Sequence, residues 1–126
     1  MPFDWKEYLE LARFLQARSG DGFTEEAASR SGVSRAYYAA FCCARNHARD
    51  NLNFAPGYDA DDHWRVRQHF RQRREMKIVD ELGFLIGWRT ACDYEDVIGN
   101  HAMMADQAVK SAEKVLADLE SGGSTA

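Results

Sequence analysis

The chain has 126 residues, enough for one hydrophobic core but not for two, so it reads as a single domain. Its 45% apolar and 12% aromatic content excludes wholesale disorder, and a net charge of -4 argues against nucleic-acid binding over the whole surface. No apolar run approaches a membrane span. The opening "MPFDWKEYLELARFLQ" lacks a cationic, apolar secretory pattern, and Cys42, Cys43 and Cys92 fit a reducing cytosol, so a cytoplasmic protein with no membrane partner is expected.

The first periodic segment spans Asp4 to Arg18. Trp5, Tyr8, Leu9, Leu11, Ala12 and Leu15 recur there at helical spacing behind Asp4 as N-cap. After the loop "SGDGF", Thr24 followed by Glu25 and Glu26 predicts a helix start, and this second helix should run to Asn51 with Gly32 as a point where it can bend. "NFAPGYDADD" reads as a loop on its Pro-Gly turn signal. A third helix is predicted from about Asp61 to Arg73 and a fourth from Met76 to Tyr94, with a break near "RREMK" where the apolar phase shifts. "EDVIGN" then leads to a last amphipathic helix through Met103, Ala108, Ala112, Val115 and Leu119. With no alternating strand pattern, the expected fold is an all-α, up-and-down bundle of about five helices over residues 1–121, with 122–126 as a flexible tail.

Two segments carry more polar chemistry than packing requires. In "SGVSRAYYAAFCCARNHARDNLNF", Val33, Tyr37, Ala40, Phe41, Ala44, Ala48 and Leu52 share one stripe, the expected core face. Arg35, Tyr38, Cys42, Arg45 and Arg49 share another, so the adjacent tyrosines should do different jobs. In "IGWRTACDYED", Arg89 and Asp93 lie four apart on the side followed by Ile78, Leu82, Leu85 and Ile86. A charge on so apolar a stripe calls for a partner, either as a structural ion pair or as a phosphate-binding arginine oriented by Asp93 and Tyr94.

The third segment is a basic block, "HWRVRQHFRQRREMK". Arg65, Arg67, Arg71, Arg73 and Arg74 form either a solvated helix face or a phosphate-contacting RNA surface, with Trp64 and Phe70 available to stack on unpaired bases. Cys43, His47, Cys92 and His101 lack the close, fixed spacing of a zinc site, and no cofactor or metal is expected.

"SRAYYAAF" (Ser34 to Phe41), His-x-x-Val (His63 to Val66) and "WRTACDY" (Trp88 to Tyr94) occur in an order that resembles the small stand-alone bacterial and archaeal HEPN proteins. Those proteins carry a Ser-Arg-x-Tyr-Tyr-Ala-x-Phe helix and a later Arg-x-x-Ala-Asp-Tyr helix end. "FDWKEYLELA" is similar to their first helix, and Cys92 stands where they usually have alanine. The resemblance covers about Phe3 to Leu119 and implies a helical bundle that dimerises through central helices. It also implies RNA or nucleotide binding, a place in a defence or toxin-antitoxin system, and a minimal nucleotidyltransferase as a neighbouring partner.

Many members are metal-independent ribonucleases whose motif is an arginine, a polar residue and, four to six positions on, a histidine. Here Arg89-Thr90 is followed at that distance by Tyr94, Glu95 and Asp96, so the general-base histidine is missing from its motif. The expected function is therefore a HEPN-type component that binds RNA, a nucleotide or a partner protein through a groove of Arg35, Tyr38, Arg45, Arg89, Asp93 and Tyr94. The alternatives are a ribonuclease using Arg89 with a histidine from another helix, His63 being the best placed, and a structural adaptor with no nucleic-acid role.

Overall fold

The computed structural model describes residues 1–121, which form five helices: α1 (Lys6–Leu15), α2 (Glu25–Asn51), α3 (Asp62–Gln72), α4 (Met76–Tyr94) and α5 (His101–Glu120). Among the described residues there is no strand, only an isolated bridge between Gly20 and Phe23 closing the α1–α2 loop. The fold is an all-α bundle. The predicted tail, 122–126, lies outside the described residues. No described helix is long and apolar enough to cross a membrane.

Local chemistry explains the helix ends. The side chain of Thr24 accepts the Ala27 N–H at 3.1 Å, and Glu25 and Glu26 place negative charge at the positive end of α2. Asn100 caps α5 in the same way through the Met103 N–H at 3.0 Å. Asp4 accepts the Lys6 N–H at 3.0 Å but stands one residue before the N-cap, Trp5, so α1 begins later than its apolar spacing suggests. It also stops early, because Ala17 adopts a left-handed φ of 55°. The expected break before α4 falls at Arg74, whose φ of 62° turns the chain between α3 and α4.

Helix α2 is the centre of the bundle and packs against the other four. Val33, Ala36, Tyr37, Ala40, Phe41, Ala44 and Ala48 are all buried, and the many alanines let neighbours come close. Against them lie Leu9 and Ala12 of α1, Val66 and Phe70 of α3, Ile78, Val79, Leu82 and Leu85 of α4, and Ala105, Ala108, Ala112 and Val115 of α5. Each large aliphatic side chain buried this way is worth roughly 1.5–3 kcal/mol.

Gly32 neither ends nor interrupts α2. It is buried where α1 crosses, and a β-carbon built there would meet the Ala12 carbonyl oxygen at 3.5 Å and the Leu15 β-carbon at 3.6 Å, ordinary contact distances. Gly32→Ala should therefore stabilise the protein by up to about 1 kcal/mol through helix propensity. Urea unfolding of the two proteins measures this; a destabilised variant would mean that α1 sits closer than those distances state.

Candidate functional site

The three segments of the sequence resemblance meet at one place. Tyr37 and Tyr38 come from the middle of α2, His63 and Arg67 from the first turns of α3, and Arg89, Asp93 and Tyr94 from the end of α4. The tyrosines divide as their spacing predicts. Tyr37 is buried and stacks with Phe41 at 5.6 Å between ring centroids, whereas Tyr38 is only partly covered. Tyr37 still has a polar role, because its hydroxyl hydrogen-bonds to His63 Nδ1. The imidazole is further held by Phe41 at 4.5 Å and by the edge of Tyr38 at 6.1 Å.

Arg89 completes the cluster. Its guanidinium carbon lies 5.5 Å from the Tyr38 ring centre and 5.9 Å from that of Tyr94, and Nε is 3.1 Å from Asp93 Oδ2. The side chain of Arg89 is 17% exposed and that of Asp93 30%, so the pair sits at a rim, between the buried and solvated extremes. The approach to Asp93 is an ion pair out of hydrogen-bonding alignment, since Arg89 Nε is buried without a hydrogen bond among the described residues. Arg67 Nη1 is in the same condition.

The electrostatics follow from this arrangement. Burial, then the positive charges of Arg89 and Arg67, push the His63 pKa below its ordinary value, outweighing the opposite pull of Asp62. Burial raises that of Tyr37 still further above neutrality, although the charges of Arg67 and Arg89 favour ionisation. With Nδ1 engaged by the Tyr37 hydroxyl, Nε2 is the ring nitrogen of His63 that has no hydrogen-bond partner among the described residues. The Arg89 and Arg67 guanidinium groups thus lie close enough to act on both His63 and Tyr37, while Asp93 pairs with Arg89 and Asp62 is held by Arg65. Such a cluster of donors suits an anion with several acceptor oxygens.

Other expected groove residues go elsewhere. Arg35 lies over the Tyr8 ring at 4.8 Å, and Arg45 over Trp5 at 5.8 Å and Tyr58 at 5.2 Å, both covering the N-terminal aromatic cluster. Cys42, on the same stripe, is buried, and burial pushes its thiol up to about 11.

The basic block also divides. Arg65 donates to Asp62 at 2.8 Å and to the Ala55 carbonyl at 3.0 Å, and Arg73 donates to the Leu52 carbonyl at 2.7 Å. Arg67 turns inward. Of this block only Arg71 and Arg74 are left on the surface with no side-chain hydrogen bond or ion pair among the described residues. Phe70 is buried and cannot stack on a base, while Trp64 is 59% exposed. The His69 ring bonds to the Leu52 carbonyl and the His47 ring lies 3.4 Å from the Asn51 amide, so of the histidines on other helices His63 is the one placed with Arg89.

The sulfur and histidine candidates for metal binding are dispersed. Cys92 Sγ contacts Met104 Sδ at 3.3 Å, and His101 Nδ1 is 3.1 Å from Ser29 Oγ. Among the described residues no three His, Cys, Asp or Glu side chains are grouped to hold a metal ion.

Arg30, which no motif singles out, orders the end of α4. Its guanidinium donates to the carbonyls of Cys92, Glu95 and Asp96 at 3.0, 2.6 and 3.1 Å, and to Glu26 at 2.9 Å. The sequence signal was only its four-residue spacing from Glu26. No family model, curated protein or solved structure matches the chain.

Proposed function

We propose that the protein is a HEPN-type binding component that holds a phosphate-bearing ligand, an RNA or a nucleotide, between α2, α3 and α4. One observation carries this reading: three segments far apart in sequence converge so that Arg67, Arg89 and His63 form one cluster with excess positive charge. Arginine forks match phosphate oxygens bidentately, and Tyr38 and Tyr94 offer rings beside them on which a base can stack. The sequence resemblance adds the setting: a cytoplasmic homodimer in a bacterial defence or toxin-antitoxin system, with a minimal nucleotidyltransferase as partner.

The test is fluorescence anisotropy with a labelled single-stranded RNA, with unlabelled ATP as competitor. RNA binding should weaken as salt is raised, and Arg89→Ala and Arg67→Ala should each lower the affinity by about tenfold or more, the loss of one charged hydrogen bond. No binding in low salt, or binding indifferent to both substitutions, would overturn the reading.

The placement of His63 beside Arg89 supports a second reading, a metal-independent ribonuclease. A general base needs a lone pair on the atom that meets the ribose hydroxyl; Nδ1 is engaged by Tyr37, which leaves Nε2 for that role. Binding is the better supported function, because the two arginines support it whichever ring nitrogen carries the proton. Cleavage of the labelled RNA that disappears in His63→Ala would reverse that order.

A further inference from the structure

A cleft of about 370 Å³ opens where residues 3–6 and the end of α5 meet the second half of α2, and it shares no residue with the Arg67–Arg89 cluster. Part of its lining is apolar. Trp5, with Phe3 edge-on to it at 4.9 Å, stands there with Leu116 and Leu119 of α5. From α2 come Cys43, Asn46 and His47, whose polar atoms are largely unused. Asn46 Oδ1 accepts from Arg45 Nε at 3.0 Å, which makes the amide nitrogen its free end. That nitrogen, His47 Nε2 and the Cys43 thiol have no hydrogen-bond partner among the described residues.

Three charged residues, Asp4, Lys6 and Glu120, complete the lining. The two carboxylates outnumber the ammonium, so phosphate and other simple anions are disfavoured, while a simple cation is opposed by Lys6. A molecule that carries both charges meets neither objection. Lys6 Nζ is 3.6 Å from Glu120 Oε1, with side chains 56% and 68% exposed, a pair loose enough to exchange partners at little cost. Asp4 Oδ1 already accepts the Lys6 backbone N–H, so Glu120 is the carboxylate free to exchange. Lys6 and Asp4 also lie close enough to act on the Cys43 thiol, although burial dominates and pushes it above its ordinary pKa. Opposite charges beside an apolar wall, in a volume within the roughly 300–1,000 Å³ of small-molecule pockets, match an amino acid with a flat apolar side chain.

We propose that this cleft binds a free aromatic amino acid. The ring packs against Trp5, Leu116 and Leu119, the α-ammonium pairs with Glu120, and the α-carboxylate accepts from Lys6 and the Asn46 amide. The site stands independently of anion binding at Arg67 and Arg89, and either can fail without the other.

Amide NMR titration of the protein with L-phenylalanine tests it. Binding should saturate with a Kd of about 1 mM or tighter. Phenethylamine, which lacks the carboxylate, and 3-phenylpropionate, which lacks the ammonium, should each bind about tenfold more weakly. Lys6→Met and Glu120→Gln should each lower the affinity for L-phenylalanine by about tenfold and leave the melting temperature unchanged, since both positions are exposed. L-phenylalanine should also slow alkylation of Cys43 by N-ethylmaleimide, Cys43 being the one cysteine of the three that is not buried. Absence of binding up to about 10 mM overturns the proposal. Analogues that bind as tightly as L-phenylalanine overturn recognition of the two charges. Binding that neither substitution weakens, with Cys43 left unprotected, puts the ligand elsewhere and overturns the site.

Discussion

Asp62→Ala should destabilise the protein by about 3 kcal/mol, the cost of removing a buried, fully engaged carboxylate and stranding its donors. Asp62 is 1% exposed. Its Oδ1 accepts from the Gly57 N–H at 3.0 Å and from Arg65 at 2.8 Å, and its Oδ2 from the Tyr58 N–H at 2.7 Å. These bonds hold the loop that returns the chain from α2 to α3, including Tyr58 in a left-handed conformation with φ 57°. They also fix Arg65 over the Phe54 ring at 4.9 Å. The melting temperature should fall by roughly 10 °C. Asp62→Asn should recover little, because its amide turns a second donor toward donors.

The pH dependence has a definite sign. Burial by itself would raise the Asp62 pKa, but the Gly57 and Tyr58 N–H groups and Arg65 outweigh it and hold the carboxyl below its usual value. As pH falls below about 4, the unfolded chain takes up its proton before the folded one does. The contribution of Asp62 is therefore complete above that pH and is lost as pH drops through the folded-state value. Wild type and Asp62→Ala should differ most near neutrality and converge in acid. A constant gap down to pH 2 in urea unfolding would show that Asp62 acts by packing rather than by its charge.

The second large effect is expected at Arg30. Arg30→Ala should cost about 2–3 kcal/mol, because three carbonyls, one in the last turn of α4 and two just beyond it, lose a charged donor whose side chain is only 20% exposed. Arg30→Lys should restore less than half of this, since a point ammonium cannot span carbonyls arranged for a planar fork. The loss should reach function as well. Arg30 fixes the backbone on either side of Asp93 and Tyr94, so the RNA affinity proposed above should fall several-fold in a variant that still folds. Equal stability of Arg30→Ala and wild type, within about 0.5 kcal/mol in urea at neutral pH, would mean that water replaces the guanidinium at no cost.

Much of the architecture was written in the local pattern of the chain. Apolar residues at three- and four-residue spacing mark all five helices, and α4 begins and ends at the residues where its pattern does. The opposed roles of Tyr37 and Tyr38 follow from the turn of a helix between neighbours, and the contact of Arg89 with Asp93 from their spacing of four. Such relations hold within one helix wherever it lies in the fold. The early end of α1 at Ala17 was not legible, because alanine gives no warning of a left-handed turn.

Contacts between helices were decided by the tertiary structure. Helix α3 is short and rich in arginine, with too few apolar residues to show which arginine turns inward. Packing of Val66 and Phe70 against the core sets its rotation, and that rotation carries Arg67 and His63 to Tyr37 and Arg89 while leaving Trp64, Arg71 and Arg74 outside. The same distinction separates Arg30 from the other arginines. Its carbonyl partners lie more than sixty residues away, and only the approach of the α4 end to the α2 start brings them within reach. Periodicity belongs to the backbone hydrogen bonds of each helix, and it determined the elements and their faces. The meeting of His63 with Tyr37 and Arg89 depends on how the Asp62 loop closes and how side chains fill one shared core, which no single segment encodes.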